Sequence, residues 1–260
     1  MSKTALVTGA SSGIGYEFAR VLAENGYDLV IVARREEKLN QLKQICEKKE
    51  KTKIKVVVKD LSKSNAPWEI YELLNKEGIR VDVLINNAGF GCYGFYKDTD
   101  WDRERRMIQV NITSLCNLTK LFIKGMLGRG SGRIVNVAST AAFQPGPLMS
   151  IYFATKSFVL SFSEALANEV KHTGVTVTAL CPGPTQSEFQ EVAGIGDLRI
   201  FSIKRMPTSE DVARFGYKAM IKGKTVAIYG TLNKSIAFAT KFAPRKMLVS
   251  AVRKFQERVH

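Results

Sequence analysis

The chain has 260 residues, 45% of them hydrophobic and 24% charged, which suits one large soluble domain held by its own core. Its four cysteines (Cys46, Cys92, Cys116, Cys181) are scattered without a CxxC pair and it has only two histidines, so neither a disulfide framework nor a metal site is expected. Lys and Arg outnumber Asp and Glu by 39 to 24, a net charge of +15 that favours anionic ligands, acidic partners or anionic surfaces without choosing among them. A nucleic-acid partner is not expected, because no compact basic recognition helix or stacking platform is present.

The first element, a strand at residues 4–8, starts almost at once, so no signal peptide is expected. It is followed by Gly9-Ala10-Ser11-Ser12-Gly13-Ile14-Gly15 and a helix at 14–25. Glycines between a strand and a helix let a backbone approach phosphate, and the helix N-terminus offers free N–H groups. The spacing is GxxxGxG rather than GxGxxG, and a plain tight turn would read the same way. A second strand at 28–33 ends on Ala33, where NAD-binding sites carry an acid for the ribose 2′-hydroxyl. Arg34 and Arg35 follow instead, and guanidinium groups suit a 2′-phosphate. NADP(H) is therefore expected over NAD(H).

A helix at 36–49, a strand at 54–58 and a helix at 65–77 continue the alternation. The strand at 83–85 runs into Asn86-Asn87-Ala88-Gly89, and a helix is expected over 101–128 with Asn111 in its apolar middle. The strand at 133–138 ends beside Ser139, at the carboxyl edge where open α/β sheets bind ligands. The helix at 151–171 carries Tyr152 and Lys156 at i,i+4 spacing, on one face. Such a pair can act as a general acid and its tuner. A free phenol has a pKa of about 10, and lowering it by about three units takes on the order of 4 kcal/mol from a neighbouring cation. Strands at 175–180 and 225–229 flank a helix at 209–222. Strands and helices alternating in this way mean a doubly wound parallel sheet, here one α/β domain spanning 1–260. No apolar run approaches the roughly 20 residues that span a bilayer, so a cytoplasmic location is expected.

The ordered set Thr8–Gly15, Asp60-Leu61, Asn86–Gly89, Asn111, Ser139, Tyr152-Phe153-Ala154-Thr155-Lys156 and Pro182-Gly183-Pro184-Thr185 resembles the short-chain dehydrogenase/reductase family from residue 3 to residue 229. The resemblance implies a Rossmann sheet of about seven strands and NAD(P)-dependent carbonyl–alcohol chemistry. It implies Tyr152 as acid/base, Lys156 on the nicotinamide ribose and tuning the tyrosine, Ser139 orienting the carbonyl, and Asn111 anchoring a water in a relay to Lys156. By the same resemblance Gly9, Ser11, Ser12, Gly13, Ile14 and Gly15 hold the pyrophosphate, Asp60 and Leu61 the adenine, and Asn86, Asn87, Ala88 and Gly89 the adenosine side. Pro182, Gly183 and Thr185 would meet the nicotinamide amide, and a homodimer or homotetramer through the helices near 101–128 and 151–171 is expected. The stretch from Pro145 to Val159 is similar to the branch of 3-oxoacyl-CoA reductases and 17β-hydroxysteroid dehydrogenases. The Tyr–Lys spacing is tighter than in enoyl reductases of the family.

Specificity is expected from residues 143–149 and from the loop at 184–207, with Phe189, Val192, Ile195, Leu198, Ile200 and Phe201 as apolar lining. A lipophilic ketone or an acyl thioester on CoA or an acidic carrier protein fits. Steroids, sugars and other small ketones stay open, as does a non-catalytic NADP(H)-binding regulator. The tail at 232–260 is basic and amphipathic. It would touch an anionic membrane with Phe238, Phe242, Leu248, Val252 and Phe255, or pack on the core or on a partner. Deleting 235–260 is expected to leave hydride transfer intact.

Overall fold

A computed structural model describes residues 2–49, 52–195 and 206–257. Seven strands, β1 (Thr4–Thr8), β2 (Asp28–Ala33), β3 (Ile54–Val58), β4 (Val83–Asn86), β5 (Gly132–Val137), β6 (Val175–Cys181) and β7 (Val226–Ile228), form one sheet in the order β3-β2-β1-β4-β5-β6-β7. Every pairing is parallel. The strands are short, β-branched and almost continuously apolar because helices cover both faces of the sheet.

Alternate side chains divide between two cores. Ala5, Val7, Leu29, Ile31, Val83 and Ile85 meet α1 (Gly13–Glu24), α2 (Glu36–Lys49) and α8 (Ser209–Ile221). Leu6, Val30, Val32, Leu84 and Ile134 meet α3 (Ala66–Lys76) and α5 (Leu115–Gly128). Helix α6 (Ser150–Glu169) lies beyond α5 and packs Val159 and Leu160 against Ala179 and Cys181 of β6. The strand order reverses between β1 and β4, so their carboxyl ends diverge and open a crevice.

Two expectations, the long helix and the structureless loop, are corrected. The helix expected over 101–128 is three pieces: α4 (Trp101–Ile108), a π-helical turn (Gln109–Ser114) and α5. The expected loop 184–207 contains a short helix, α7 (Phe189–Ala193), ended by Gly194 at φ 69°. Of its expected apolar lining, Leu198, Ile200 and Phe201 lie outside the described residues. The basic tail folds as α9 (Thr231–Ala239) and α10 (Arg245–Phe255), divided at Pro244.

Candidate active site

The crevice begins where β1 turns into α1. Gly9 (φ 67°) and Gly13 (φ 57°) take the left-handed conformation that side chains resist. Ser12 makes no side-chain cap on α1, and no acid sits in the first turn. The leading N–H groups of that helix are left for an anion. Gly15 serves packing instead: a Cβ there would overlap the Gly9 carbonyl and the Asn87 amide, and the residue does not line the cleft. Asn87 braces this turn, its Nδ2 donating to the carbonyls of Thr8 (3.0 Å) and Gly9 (3.3 Å). Thr8 Oγ1 accepts from the N–H groups of Asn87 and Ala88, both at 3.0 Å. Asn86 faces away from the cleft, because its amide donates to Thr119 Oγ1 and Asn136 Oδ1 inside the core.

Along the same crevice lie Ser11, Ser12, Gly13, Ile14, Arg34, Arg35, Asp60, Leu61, Asn87, Ala88 and Gly89. Arg35 donates to Ser11 Oγ (3.1 Å) and pairs with Glu188 (2.7 Å), so the strand end, the glycine turn and the chain before α7 are tied together. Arg35 and Ser12 hold the Glu188 carboxyl below its ordinary range against the opposing effect of burial. Burial pushes the Asp60 carboxyl up, yet the Ser62 bonds and the nearby Arg34 and Lys63 outweigh it and leave it lowered. Free helix N–H groups, two arginines and the absence of an acid at Ala33 fit a dinucleotide with an extra phosphate. The cleft, about 820 Å³, has room for a dinucleotide and a second molecule.

At the inner end, β5 stops at Val137 and Ser139 caps a short 3₁₀ turn (Thr140–Phe143), accepting from the Ala141 N–H at 3.1 Å. Tyr152 and Lys156 face it from one side of α6, both buried. Lys156 Nζ donates to the Val137 carbonyl at 2.8 Å and stands 5.8 Å from the Tyr152 ring centre. Burial pushes the Tyr152 phenol up to about 12, with the Ser139 hydrogen bond opposing. Burial pushes the Lys156 ammonium down to about 8, against the pull of the neighbouring Cys181. Burial is the larger effect on the Tyr152 phenol, and the Lys156 ammonium is turned to the Val137 carbonyl. At neutral pH the phenol holds its proton as a donor.

Asn111 sits in the π-helical turn, 1% exposed, and does not line the cleft. Its amide accepts from the Phe90 N–H (3.2 Å) and donates to the Phe90 carbonyl (3.1 Å) and Thr155 Oγ1 (3.0 Å). A Cβ on Gly89 would stand 3.0 Å from Asn111 Oδ1 and 3.5 Å from Lys156 Nζ, so that glycine occupies the gap between the two side chains. Pro182, Gly183 and Thr185 line the same end, and Thr185 Oγ1 donates to the Gly183 carbonyl at 2.9 Å.

Beyond Tyr152 the walls turn apolar, with Phe90, Met149, Phe153, Phe189, Val192 and Ile195. The Phe189 ring lies 5.3 Å from that of Tyr152. Sequence reasoning missed Arg103, Arg106, Glu188 and Gln256, which also line the cleft. The i,i+3 arginines of α4 were a readable signal. Glu188 and Gln256 carried none, since only the fold brings them there.

A parallel sheet with a crevice at its switch point, an uncapped helix N-terminus and a buried Ser–Tyr–Lys cluster define a Rossmann-type dinucleotide-binding protein. Residues 3–195 match the family model described as short chain dehydrogenase, and the chain belongs to that family. It is 36% identical over 184 residues to a very-long-chain 3-oxoacyl-CoA reductase of Anas platyrhynchos, covering 68% of this chain and 58% of that protein. It is 34% identical over 184 residues to a 17-beta-hydroxysteroid dehydrogenase type 3 of Mus musculus, covering 70% and 60%. The chain thus spans about three fifths of the length of these curated relatives. Among solved structures, a short-chain dehydrogenase from Sphingobium yanoikuyae in complex with NADPH superposes with a TM-score of 0.83 at 30% identity, covering 98% of both chains. No helix among the described residues is long and apolar enough to cross a membrane.

Proposed function

We propose that the chain catalyses NADPH-dependent reduction of a ketone or aldehyde to an alcohol, reversibly. The observation that carries this reading is the protonated, buried Tyr152 at the junction of the phosphate-lined crevice and the apolar walls, bracketed by Ser139 and Lys156. Bound NADPH supplies the hydride. The Ser139 hydroxyl holds the carbonyl oxygen, and Tyr152 gives it a proton. The Lys156 ammonium then stabilises the phenolate, and Asn111 stands behind it to hold a water that returns the proton.

Arg34 and Arg35 support a preference for NADPH, gripping the 2′-phosphate. Arg34 has no hydrogen bond or ion pair among the described residues, whereas Arg35 must share itself with Glu188. The apolar walls favour a lipophilic substrate, and Arg103 and Arg106 at the cleft favour one carrying an anionic handle, as in a 3-oxoacyl thioester of CoA or of an acidic carrier protein. The exposed face of α6, with Phe158 41% exposed and stacked on Phe162, suits a homodimer.

The test is NADPH oxidation across 3-oxoacyl thioesters, steroid ketones and sugar ketones, with Tyr152→Phe beside the parent. Loss of about 10²–10⁴-fold in kcat is expected, and full activity in the Phe variant overturns the mechanism. Arg34→Ala is expected to weaken NADPH binding by about tenfold while leaving NADH nearly unchanged, the value of one exposed charge-assisted contact.

A further inference from the structure

Helices α9 and α10 are joined to the body by few side chains. Ala237 is the buried residue of α9 and Val252 that of α10. Apolar side chains that a core would hide stand in solvent: Leu232 is 71% exposed, Phe238 63%, Phe242 75%, Met247 66% and Phe255 61%. The stripe expected to face one way is therefore divided. Val252 turns inward, whereas Phe238, Phe242 and Phe255 turn out.

The charge of this surface is one-sided. Residues 231–257 contain Lys234, Lys241, Arg245, Lys246, Arg253 and Lys254 against a single acid, Glu257. Arg253 pairs with that acid and lies over the Phe95 ring, with 5.0 Å to its centre. Among the described residues Lys241, Arg245, Lys246 and Lys254 have no ion pair. Phe95 and Tyr96, 53% and 64% exposed, extend the aromatic surface from the neighbouring loop.

We infer that α9 and α10, with the Phe95–Tyr96 loop, dock the protein on an anionic lipid bilayer and hold the mouth of its substrate cleft against that surface. Exposed aromatic and aliphatic side chains interleaved with unpaired lysines are what a headgroup layer accepts. A second copy of the chain fits less well, because it would bring the same unpaired lysines face to face. The link to the cleft is α10 itself. Its Val252 belongs to the buried cluster of Met149, Tyr152 and Phe153, Gln256 at its end lines the cleft, and the Gln256 carbonyl accepts from the Tyr93 hydroxyl at 2.7 Å. One side of the helix joins the buried cluster around Tyr152 while the other meets solvent. The purpose, uptake of a carbonyl compound dissolved in lipid, rests on the proposed lipophilic substrate; the docking itself does not.

The test is flotation of the full chain with vesicles, which reads binding without catalysis. The chain should float with phosphatidylcholine vesicles containing phosphatidylglycerol and not with phosphatidylcholine alone. Binding should weaken in about 1 M salt, where the Debye length is about 3 Å. The triple variant Lys241→Glu, Lys246→Glu, Lys254→Glu should lose affinity on the order of a hundredfold. Phe238→Ser with Phe242→Ser should also detach it, both variants keeping the parent's circular dichroism and melting temperature. Absence of flotation with anionic vesicles overturns the inference. So does flotation unchanged in either variant, or a sedimenting dimer that only the phenylalanine substitutions dissociate, which would assign the surface to a second copy.

Discussion

Tyr152 and Lys156 are displaced in opposite directions by the same burial, and each displacement favours the neutral form. The lysine's shift has a consequence for stability. Its ordinary value is 10.5 and its folded value about 8, so the fold binds this proton less tightly than the unfolded chain does. The resulting stability is present above pH 10.5 and is lost as pH falls through 8, at a cost of about 3 kcal/mol once both states are charged. Lys156→Met removes that cost and leaves the Val137 carbonyl without its donor, a loss of about 1 kcal/mol. Urea titrations should therefore find the Met variant more stable than the parent by about 1–2 kcal/mol at pH 7 and less stable at pH 11. Tyr152 is common to both proteins and cancels. A Met variant destabilised equally at both values would show that Lys156 does not carry a burial penalty. The i,i+4 spacing made the pair legible in the sequence. Its electrostatics were not, because the spacing reports proximity and says nothing of the carbonyl that takes the ammonium.

At the scale of elements, the π-helical turn between α4 and α5 shows what periodicity can and cannot reveal. The apolar spacing continues across residues 101–128, so one helix was the natural reading. Asn111 flagged the spot as a polar group in an apolar stretch, but the extra residue in the turn accompanies tertiary bonds from its amide to Phe90 and Thr155. Those partners lie 21 and 44 positions away in the chain and leave no local trace. Asn111→Ala strands the half-buried Phe90 N–H and should lower stability by about 1–3 kcal/mol in a denaturant titration. It should also loosen the stretch from Ala88 to Phe90, read as faster amide exchange there than in β4. Unchanged exchange would mean that the turn stands without the side chain. The strands, by contrast, were placed within a residue or two, because a β-branched run buried on both faces depends only on its own composition.

For the whole molecule, the decisive question is whether the tail belongs to the catalytic body. Its basic, amphipathic character was legible, but which side chains turn inward depends on where α10 comes to rest against elements distant in sequence. The expectation that residues 235–260 are dispensable for hydride transfer turns on the contacts of the tail. Asn233 of α9 lies so close to Gly183 that a Cβ on the glycine would overlap it, Gln256 lines the cleft, and Val252 belongs to the buried cluster that holds Met149, Tyr152 and Phe153. All seven strands precede residue 231, so a chain ending at Gly230 should keep the sheet. What it loses is Gln256 from the cleft lining and Val252 from the buried cluster of Tyr152 and Phe153. Val252 alone contributes a buried apolar side chain worth about 1.5–3 kcal/mol. If about half of that reaches a bulky ketone through the pocket wall, kcat/KM for it should fall about 3- to 13-fold. A ketone too small to reach that wall should be reduced nearly as before, so the ratio of the two rates is the measurement. Equal losses for both ketones would mean that the tail supports the fold generally, and equal retention would return it to the status of an appendage. The full-length Val252→Ala variant separates these cases, because it trims the buried cluster of Tyr152 and Phe153 while leaving α9 and the rest of α10 in place.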